Sequence, residues 1–308
     1  MKALVTGGAG FIGSHIATRL VEGGHGVRVL DNLTSGKKDN LAHVARDVEL
    51  VVADVRDAAR LEELAAGCDV IFHEAAIVSV PYSVEHPQET HDVNIQGTLN
   101  VLAAAKKRGV RRVVFACSAA VYGEEPEQPK VETMRPAPVA PYGVEKITGE
   151  QYLYCWSKLY GVETVSLRYF NVFGPRQDPT SAYSGVISIF VDRILRGAPI
   201  TIFGDGEQYR DFVYVDNVVD ANLAAATRAG VSGRAYNVGC GKKTSLNELA
   251  AILGRIVGKD VRPTHAEPRA GDIRESLADI ARARAELAYE PKVGVEEGLR
   301  RLVEWVRA

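Results

Sequence analysis

Three glycines near the amino terminus constrain this chain more than any other feature. Lys2-Ala-Leu-Val-Thr6 is a short apolar run that stops at Gly7-Gly-Ala-Gly10-Phe-Ile-Gly13. Helical periodicity follows from Ser14 to Val21 and ends at Gly23-Gly24, and Val27-Arg-Val-Leu-Asp31 reads as a second strand. Strand, glycine turn, helix and strand, with an acid 18 residues after the last glycine, form the βαβ pattern that binds a dinucleotide. The glycines let backbone approach a pyrophosphate, and the helix amino terminus favours its charge. Gly7-x-x-Gly10-x-x-Gly13 is one residue looser than the usual spacing, but the reasoning is unchanged. Asp31 would accept hydrogen bonds from an adenosine ribose and repel a 2′-phosphate, which selects NAD over NADP. Lys37 and Lys38 weaken that selection slightly.

The alternation continues down the chain. Residues 48–53 and 69–73 read as strands, the first followed by Asp54-Val55 and the second by Glu74-Ala75-Ala76. Helices are expected over 60–66, 87–108 and 142–160, and further strands over 111–117 and 163–170. This predicts an α/β fold with a doubly wound parallel (Rossmann) sheet, whose ligands lie at the carboxyl ends of the strands. Gly7, Asp31, Asp54, Ala75 and Ser118 all fall at or just after strand ends. From Asn171 onward the pattern becomes irregular, with a loop over 174–179, helices over 186–195, 246–257 and 295–306, and a strand over 210–215. Residues 1–170 are therefore expected to bind the cofactor. Residues 171–308 are expected to form a smaller α/β substrate domain, some of whose segments return to the sheet.

Chemistry is concentrated where Ala116-Cys-Ser118-Ala-Ala-Val-Tyr122-Gly is followed by Pro141-Tyr142-Gly-Val-Glu-Lys146. Tyr142 and Lys146 are one helical turn apart and share a face. An ammonium beside the phenol favours phenolate and lowers a pKa that starts near 10. Tyr142 is thus a candidate acid–base group, and Ser118 offers a second hydroxyl to the same substrate oxygen.

Composition excludes other classes. A formal charge of -2 lacks the basic bias of a nucleic-acid binder. Cys68, Cys117, Cys155 and Cys240 show no metal-ligand spacing and read as buried thiols in a reducing compartment, so no metal is expected. No apolar run reaches membrane-spanning length, and a soluble cytoplasmic protein without a signal peptide is the expectation. His73 and Tyr122 read as structural. Asn94 reads as a backbone-bonding side chain, and Lys106 to Arg112 as a solvated helix end.

Taken together, Thr6-Gly-Gly-Ala-Gly-Phe-Ile-Gly13, Asp31-Asn-Leu33, His73-Glu-Ala-Ala76, Asn94, Ser118-Ala-Ala-Val-Tyr-Gly123, Tyr142-Gly-Val-Glu-Lys146, Arg168-Tyr-Phe-Asn171-Val-Phe-Gly-Pro175, Arg210-Asp-Phe-Val-Tyr-Val215 and Arg269-Ala-Gly-Asp272 resemble the extended short-chain dehydrogenase/reductases. Within them the closest resemblance is to UDP-hexose 4-epimerases of the UDP-galactose epimerase type, over essentially the whole chain. The resemblance implies an isomerase with retained NAD, acting on UDP-glucose and UDP-galactose through a transient 4-keto sugar. Tyr142 would take the proton of the sugar 4-hydroxyl, Ser118 hold O4, and Lys146 bond the nicotinamide ribose. Gly7, Gly10, Phe11, Ile12, Gly13, Asp31, Asn32, Ser35, Gly36, Asp54, Val55, Ala75, Ala76 and Asn94 would line the NAD site. Asn171, Arg210 and Arg269 would grip the diphosphate and Asp272 the nucleotide ribose. A paired-helix homodimer is also implied. Read by spacing alone, Arg210 beside Asp211 and Arg269 near Asp272 are equally local ion pairs.

The same scaffold hosts lyases and reductases. Dehydratases and decarboxylases carry acids directly after the serine, where this chain has Ala119 and Ala120. Position 276 aligns with a gate that is bulky in strict glucose/galactose epimerases, and here it is Ser276. Together with Val78-Ser-Val-Pro81, this extends the expected substrates to UDP-GlcNAc and UDP-GalNAc. The alternatives are a UDP-glucuronate 4-epimerase, with Arg176 or Arg193 meeting the carboxylate, or another dehydratase or reductase of this family.

Overall fold

The fold is taken from a computed structural model, which describes residues 1–178, 185–268 and 273–308. In chain order the amino-terminal elements are β1 (Lys2–Thr6), α1 (Phe11–Glu22), β2 (Gly26–Asp31), β3 (Val48–Val52), α2 (Ala58–Ala65), β4 (Val70–His73), α3 (Val80–Glu85), α4 (Pro87–His91), α5 (Gly97–Arg108), β5 (Arg112–Ser118), α6 (Pro141–Leu159) and β6 (Glu163–Tyr169). They continue as β7 (Asn171–Phe173), α7 (Val186–Leu195), β8 (Thr201–Phe203), β9 (Tyr209–Arg210), β10 (Phe212–Tyr214), α8 (Val215–Thr227), β11 (Arg234–Val238), β12 (Thr244–Ser245), α9 (Leu246–Val257), β13 (Thr264–Ala266), β14 (Glu275–Ser276) and α10 (Val295–Arg307).

Seven parallel strands form the central sheet in the order β11-β6-β5-β4-β1-β2-β3. Strand order reverses between β1 and β4, which opens a crevice at their carboxyl ends. The sheet is covered by helices on both faces, and its central strands are correspondingly apolar: Leu4, Val5, Ile71, Phe72, Val113 and Val114 are fully buried. Three small sheets, β10-β7, β12-β9-β14 and β13-β8, stand beyond the carboxyl edge. A second hydrophobic cluster, with Phe173, Phe190, Val191, Leu249, Leu253 and Leu299, holds them together with α7, α9 and α10.

Several differences from the sequence expectation have local causes. The helix expected over 87–108 is α4 and α5 joined by a π turn at Asp92–Gln96, which re-aims Asn94 out of the helical repeat. The strand expected over 210–215 is two short strands followed by α8, an element the periodicity reading did not include. Arg112 is not part of a solvated helix end: it is 1% exposed, with Nη1 donating to the carbonyls of Ala225 and Arg228, each at 2.7 Å, and Nη2 against Glu163. Cys155 is exposed rather than buried, because it lies on the outer face of α6.

A buried ion pair ties α6 to β6. Arg168 donates through Nε and Nη2 to the two oxygens of Glu150, at 2.9 and 2.6 Å, and through Nη1 to the Tyr122 hydroxyl at 2.9 Å. Removing one partner leaves a charge stranded in the core. Arg168→Leu is expected to lower the urea unfolding free energy by about 3–5 kcal/mol. Arg168→Leu/Glu150→Leu should recover much of that loss, measured in the same titrations.

Candidate active site

Gly7, Asp31, Asp54, Ala75 and Ser118 sit at or just after the ends of parallel strands, and Tyr142 and Lys146 on α6. The turn after β1 leads into α1, whose first turn has no side-chain cap, so the N–H groups of Phe11 and Ile12 point to the crevice unclaimed by a capping side chain. Gly7 adopts φ +68°, and a Cβ there would stand 2.7 Å from the nitrogen of Ala75 at the end of β4. Only glycine fits that approach. At the end of β2, Asp31 is 6% exposed; its oxygens accept from the N–H groups of Ala9 at 2.9 Å and Leu33 at 2.8 Å. Gly36 passes so close that a Cβ would lie 2.6 Å from Asp31 Oδ1, which places Ser35 and Gly36 over this carboxylate.

After β3, Asp54 accepts from Asn32 Nδ2 at 2.9 Å and from Arg56, whose guanidinium holds its carboxyl well below the usual range. Val55 follows, buried against Gly97. Lys37 is paired with Asp178 at 2.7 Å rather than directed at Asp31. These groups fit NAD: an uncapped helix start and glycine turn for the pyrophosphate, a fixed carboxylate for the ribose, and small Ala75 and Ala76 where the cofactor must run close to backbone. Asn94 has a different task. Its amide clasps the backbone of Ile77 on both sides, at 2.8 and 3.0 Å, and donates to Glu145 at 2.6 Å, which fixes the loop after β4 against α6.

The chemical groups converge at β5 and α6. Ser118 ends β5, and its Oγ accepts from the Ala120 N–H at 3.1 Å, which leaves its proton to donate. Tyr142 is buried, and Ser118 lies near enough to act on its phenol. Lys146 Nζ lies 5.7 Å from the Tyr142 ring centre and donates to the Ala116 carbonyl at 2.8 Å. The expectation that Lys146 lowers the Tyr142 pKa needs correction. Burial pushes the phenol up, and Ser118 is the largest opposing influence. Desolvation exceeds the help of a lysine that is itself buried and whose own pKa burial lowers.

His73 is structural, bridging Thr6 Oγ1 at 2.7 Å and Thr98 Oγ1 at 3.0 Å. Tyr122 donates to Asn237 at 2.6 Å in the core. Across the crevice, Asn171 pairs with Phe212 and its N–H bonds the Asp211 carbonyl, while Arg210 lies opposite Ser276 on the neighbouring strand. Asp211 accepts from the N–H groups of Cys240 at 2.7 Å, Gly241 at 2.9 Å and Ala278 at 3.2 Å, so it clamps loops. Arg269 and Asp272 lie outside the described residues. The sequence reading gave Glu74 and Tyr169 no role, and the structure joins them by a hydrogen bond at 2.9 Å; the signal was a carboxylate one residue before Ala75 and Ala76. Among the described residues no group of side chains is arranged to hold a metal ion, and no helix is long and apolar enough to cross a membrane.

A dinucleotide crevice opening onto Ser, Tyr and Lys defines an enzyme that moves hydride and proton at one carbon–oxygen bond. The chain belongs to the NAD dependent epimerase/dehydratase family, whose model matches residues 3–239, and NAD is its cofactor. It is 43% identical to a UDP-glucose 4-epimerase of Mycolicibacterium smegmatis over 311 residues, 100% of this chain and 99% of the relative. It superposes with TM-score 0.93 and 43% identity on the UDP-glucose 4-epimerase of Thermotoga maritima solved with UDP-glucose, covering 100% and 99% of the two chains. A UDP-N-acetylglucosamine 4-epimerase from Methanobrevibacter ruminantium, in complex with UDP-N-acetylmuramic acid, superposes at 0.95 with 39% identity, covering 99% and 98%.

Burial holds His73 neutral, its pKa pushed down to about 3. In the unfolded chain the same imidazole takes a proton near its ordinary pKa of about 6.5. Its contribution is therefore present above that pH and lost as pH falls from about 6.5 toward 3. Urea midpoints should fall between pH 7.5 and 5, and His73→Gln should flatten that dependence. An unchanged slope would contradict the assignment.

Proposed function

We propose that this NAD-dependent isomerase interconverts UDP-glucose and UDP-galactose, and with Ser276 as a small gate also UDP-GlcNAc and UDP-GalNAc. The observation that carries the reading is the Ser118–Tyr142–Lys146 cluster at the carboxyl ends of β5 and the start of α6, with Ala119 and Ala120 where an eliminating enzyme needs acids. NAD, when bound, accepts and returns the hydride and adds positive charge beside the phenol. The chain's own residues do the rest. Tyr142 takes the proton of the sugar 4-hydroxyl at its Oη and gives it back after the 4-keto sugar has turned. Ser118 donates to O4 and holds it within reach. Lys146 adds positive charge from below and bonds the ribose of the cofactor.

Residues of β7, β9 and β14, with Asn171, Arg210 and Ser276, form the substrate side; Arg269 and Asp272, outside the described residues, are assigned to the nucleotide by the family resemblance alone. Binding concentrates on the UDP, so the hexose is free to rotate. Two arginines on one pyrophosphate match planar guanidinium forks to paired oxygens. For a uronate substrate the two arginines considered are engaged elsewhere: Arg176 donates to Ser14 and Thr18 on α1, and Arg193 to the Pro199 carbonyl. Exposed Val144, Tyr154, Leu159 and Tyr160 on or just after α6 support a homodimer through this helix. The exposed Cys155 thiol suits a reducing cytoplasm.

Purified protein, without added cofactor, should convert UDP-glucose to its 4-epimer with no free NADH, as read by NMR; UDP-GlcNAc should follow and UDP-GlcA should not. A 4-keto product or released carbon dioxide would replace this reading with a lyase. Tyr142→Phe should abolish turnover while NAD stays bound. Ser276→Tyr should cut activity on UDP-GlcNAc by an order of magnitude or more and spare UDP-glucose, since overfilling a pocket costs roughly 1–3 kcal/mol. Equal activity on both sugars would remove the gate.

A further inference from the structure

Glu74 is an ionisable group at the centre of the crevice to which the reaction above gives no role. Its N–H bonds the Thr6 carbonyl at 3.1 Å, and the next residue meets Gly7, so the backbone here runs along the phosphate turn. Its side chain reaches the other way. Glu74 accepts from the Tyr169 hydroxyl at 2.9 Å. Tyr169 ends β6 directly opposite Ser118 in register, and β5 lies between β4 and β6. The Glu74–Tyr169 bond therefore bridges the end of β5, beside the catalytic serine.

The Tyr169 oxygen accepts in turn from Asn222 Nδ2 at 2.8 Å, and Asn222 is fully buried and anchored to the Val218 carbonyl at 2.9 Å. The carboxylate is thus held by one side chain, Tyr169, which Asn222 of α8 in turn holds in place.

Its charge reaches both partners of the acid–base pair. Glu145 and Glu74 both oppose ionisation of Tyr142, Glu145 the more strongly, and both favour the ammonium form of Lys146, Glu74 the more strongly. The other titratable groups facing this cluster are the Cys117 thiol of β5, neutral because burial pushes it up, and Glu145 of α6, bonded to Thr90 and Asn94. His73 of β4 is neutral, and the Tyr169 phenol of β6 is pushed well above its ordinary range. Within this set Lys146 is the positive charge and Glu74 the negative charge not already engaged by two side-chain donors.

We propose that Glu74 is a positioning residue that sets the charge of the site: held over the end of β5 by Tyr169, which Asn222 anchors, it balances Lys146 and keeps Tyr142 protonated until a second positive charge lies beside it. This rests on Tyr142 being the acid–base group. The oxidised cofactor is that second charge. Tyr142 is thus a base when the cofactor can take hydride and an acid when it cannot, the alternation that a reversible epimerisation requires. Burial raises Glu74 itself to about 7, so the balance is adjustable near neutral pH.

The test uses the purified holoenzyme. Tyrosinate absorbance of each protein is recorded against its Tyr142→Phe counterpart as pH rises, beside the pH profile of kcat/KM. Glu74→Gln keeps the size and the Tyr169 contact but removes the charge. It should move the Tyr142 titration and the acid limb of kcat/KM to lower pH by roughly one unit, the shift expected from losing a nearby like charge. Tyr169→Phe removes the bond that favours ionised Glu74, and should shift both in the same direction by less. No shift in either variant, or a shift to higher pH in Glu74→Gln, overturns the inference. A uniform loss of kcat at all pH values with the titration unmoved marks a purely structural carboxylate and overturns it equally. If Tyr142→Phe itself retains turnover, the acid–base assignment fails rather than the role of Glu74.

Discussion

The reversal of strand order between β1 and β4 is the constraint on which the rest depends. Parallel strands buried on both faces are largely apolar, and the polar groups they do bury, such as Ser166 and Arg168 of β6, are tied up inside the core, so groups free to meet a ligand lie where strands end. The reversal parts the covering helices at one such edge, and the crevice there is the place where strand-end residues of different strands face one ligand. Thr6-Gly7, Asp31, Asp54, Glu74 to Ala76 and Ser118 are all products of that geometry. α6 then brings Tyr142 and Lys146 over the end of β5, where Gly143 and Gly149 let it lie close to Ala120 and Phe115.

The same geometry makes electrostatics the difficulty of the site. A crevice between packed helices is poorly solvated, and desolvation acts on every ionisable group in it. It raises Tyr142, Tyr169 and Glu74 and lowers Lys146 and His73. His73 accepts the consequence and stays neutral between two threonines. Tyr142, in the acid–base role proposed for it, needs the charged form. In this family the cofactor resides in the crevice, and its positive ring is the natural compensating charge. A site that acquires its active protonation state only with the oxidised cofactor in place does not waste a base on a substrate it cannot oxidise.

The scaffold was legible in the sequence because its signals are local. Glycine turn, alternating apolar runs and helical periodicity each follow from a few consecutive residues, and α1, β4, β5, α6, α7, α9 and α10 lie within a few residues of where those patterns put them. What escaped depends on contacts between distant segments. β11 pairs with β6 some 70 residues earlier, and no pattern within Arg234–Val238 names its partner. Arg112 reads as surface charge beside Arg111, yet it is buried because α8 supplies carbonyls at residues 225 and 228. Asn94 reads as a helical asparagine, and only the π turn shows it tying Ile77 to Glu145. The Tyr-x-x-x-Lys spacing put Tyr142 and Lys146 on one face of α6 but did not give the direction of the Tyr142 pKa, since burial is a property of the packed molecule.

Substrate selectivity belongs to this second kind of information. The sheet edge that carries the chemistry is regular, and relatives acting on different sugars share it. The opposing rim is made of two- and three-residue strands, β7 with β10 and β9 with β12 and β14, whose lengths are too short for any periodicity to reveal. Ser276 faces Arg210 there only because Asp211, between β9 and β10, gathers the backbones of Cys240, Gly241 and Ala278 around one carboxylate. A side chain inside the rim thus fixes the strands that the proposed reading assigns to the substrate. Because two separate segments, at 240–241 and at 278, converge on it, the rim holds its shape independently of the side chain at position 276, and on the proposed reading the hexose can change there while Ser118, Tyr142 and Lys146 stay the same.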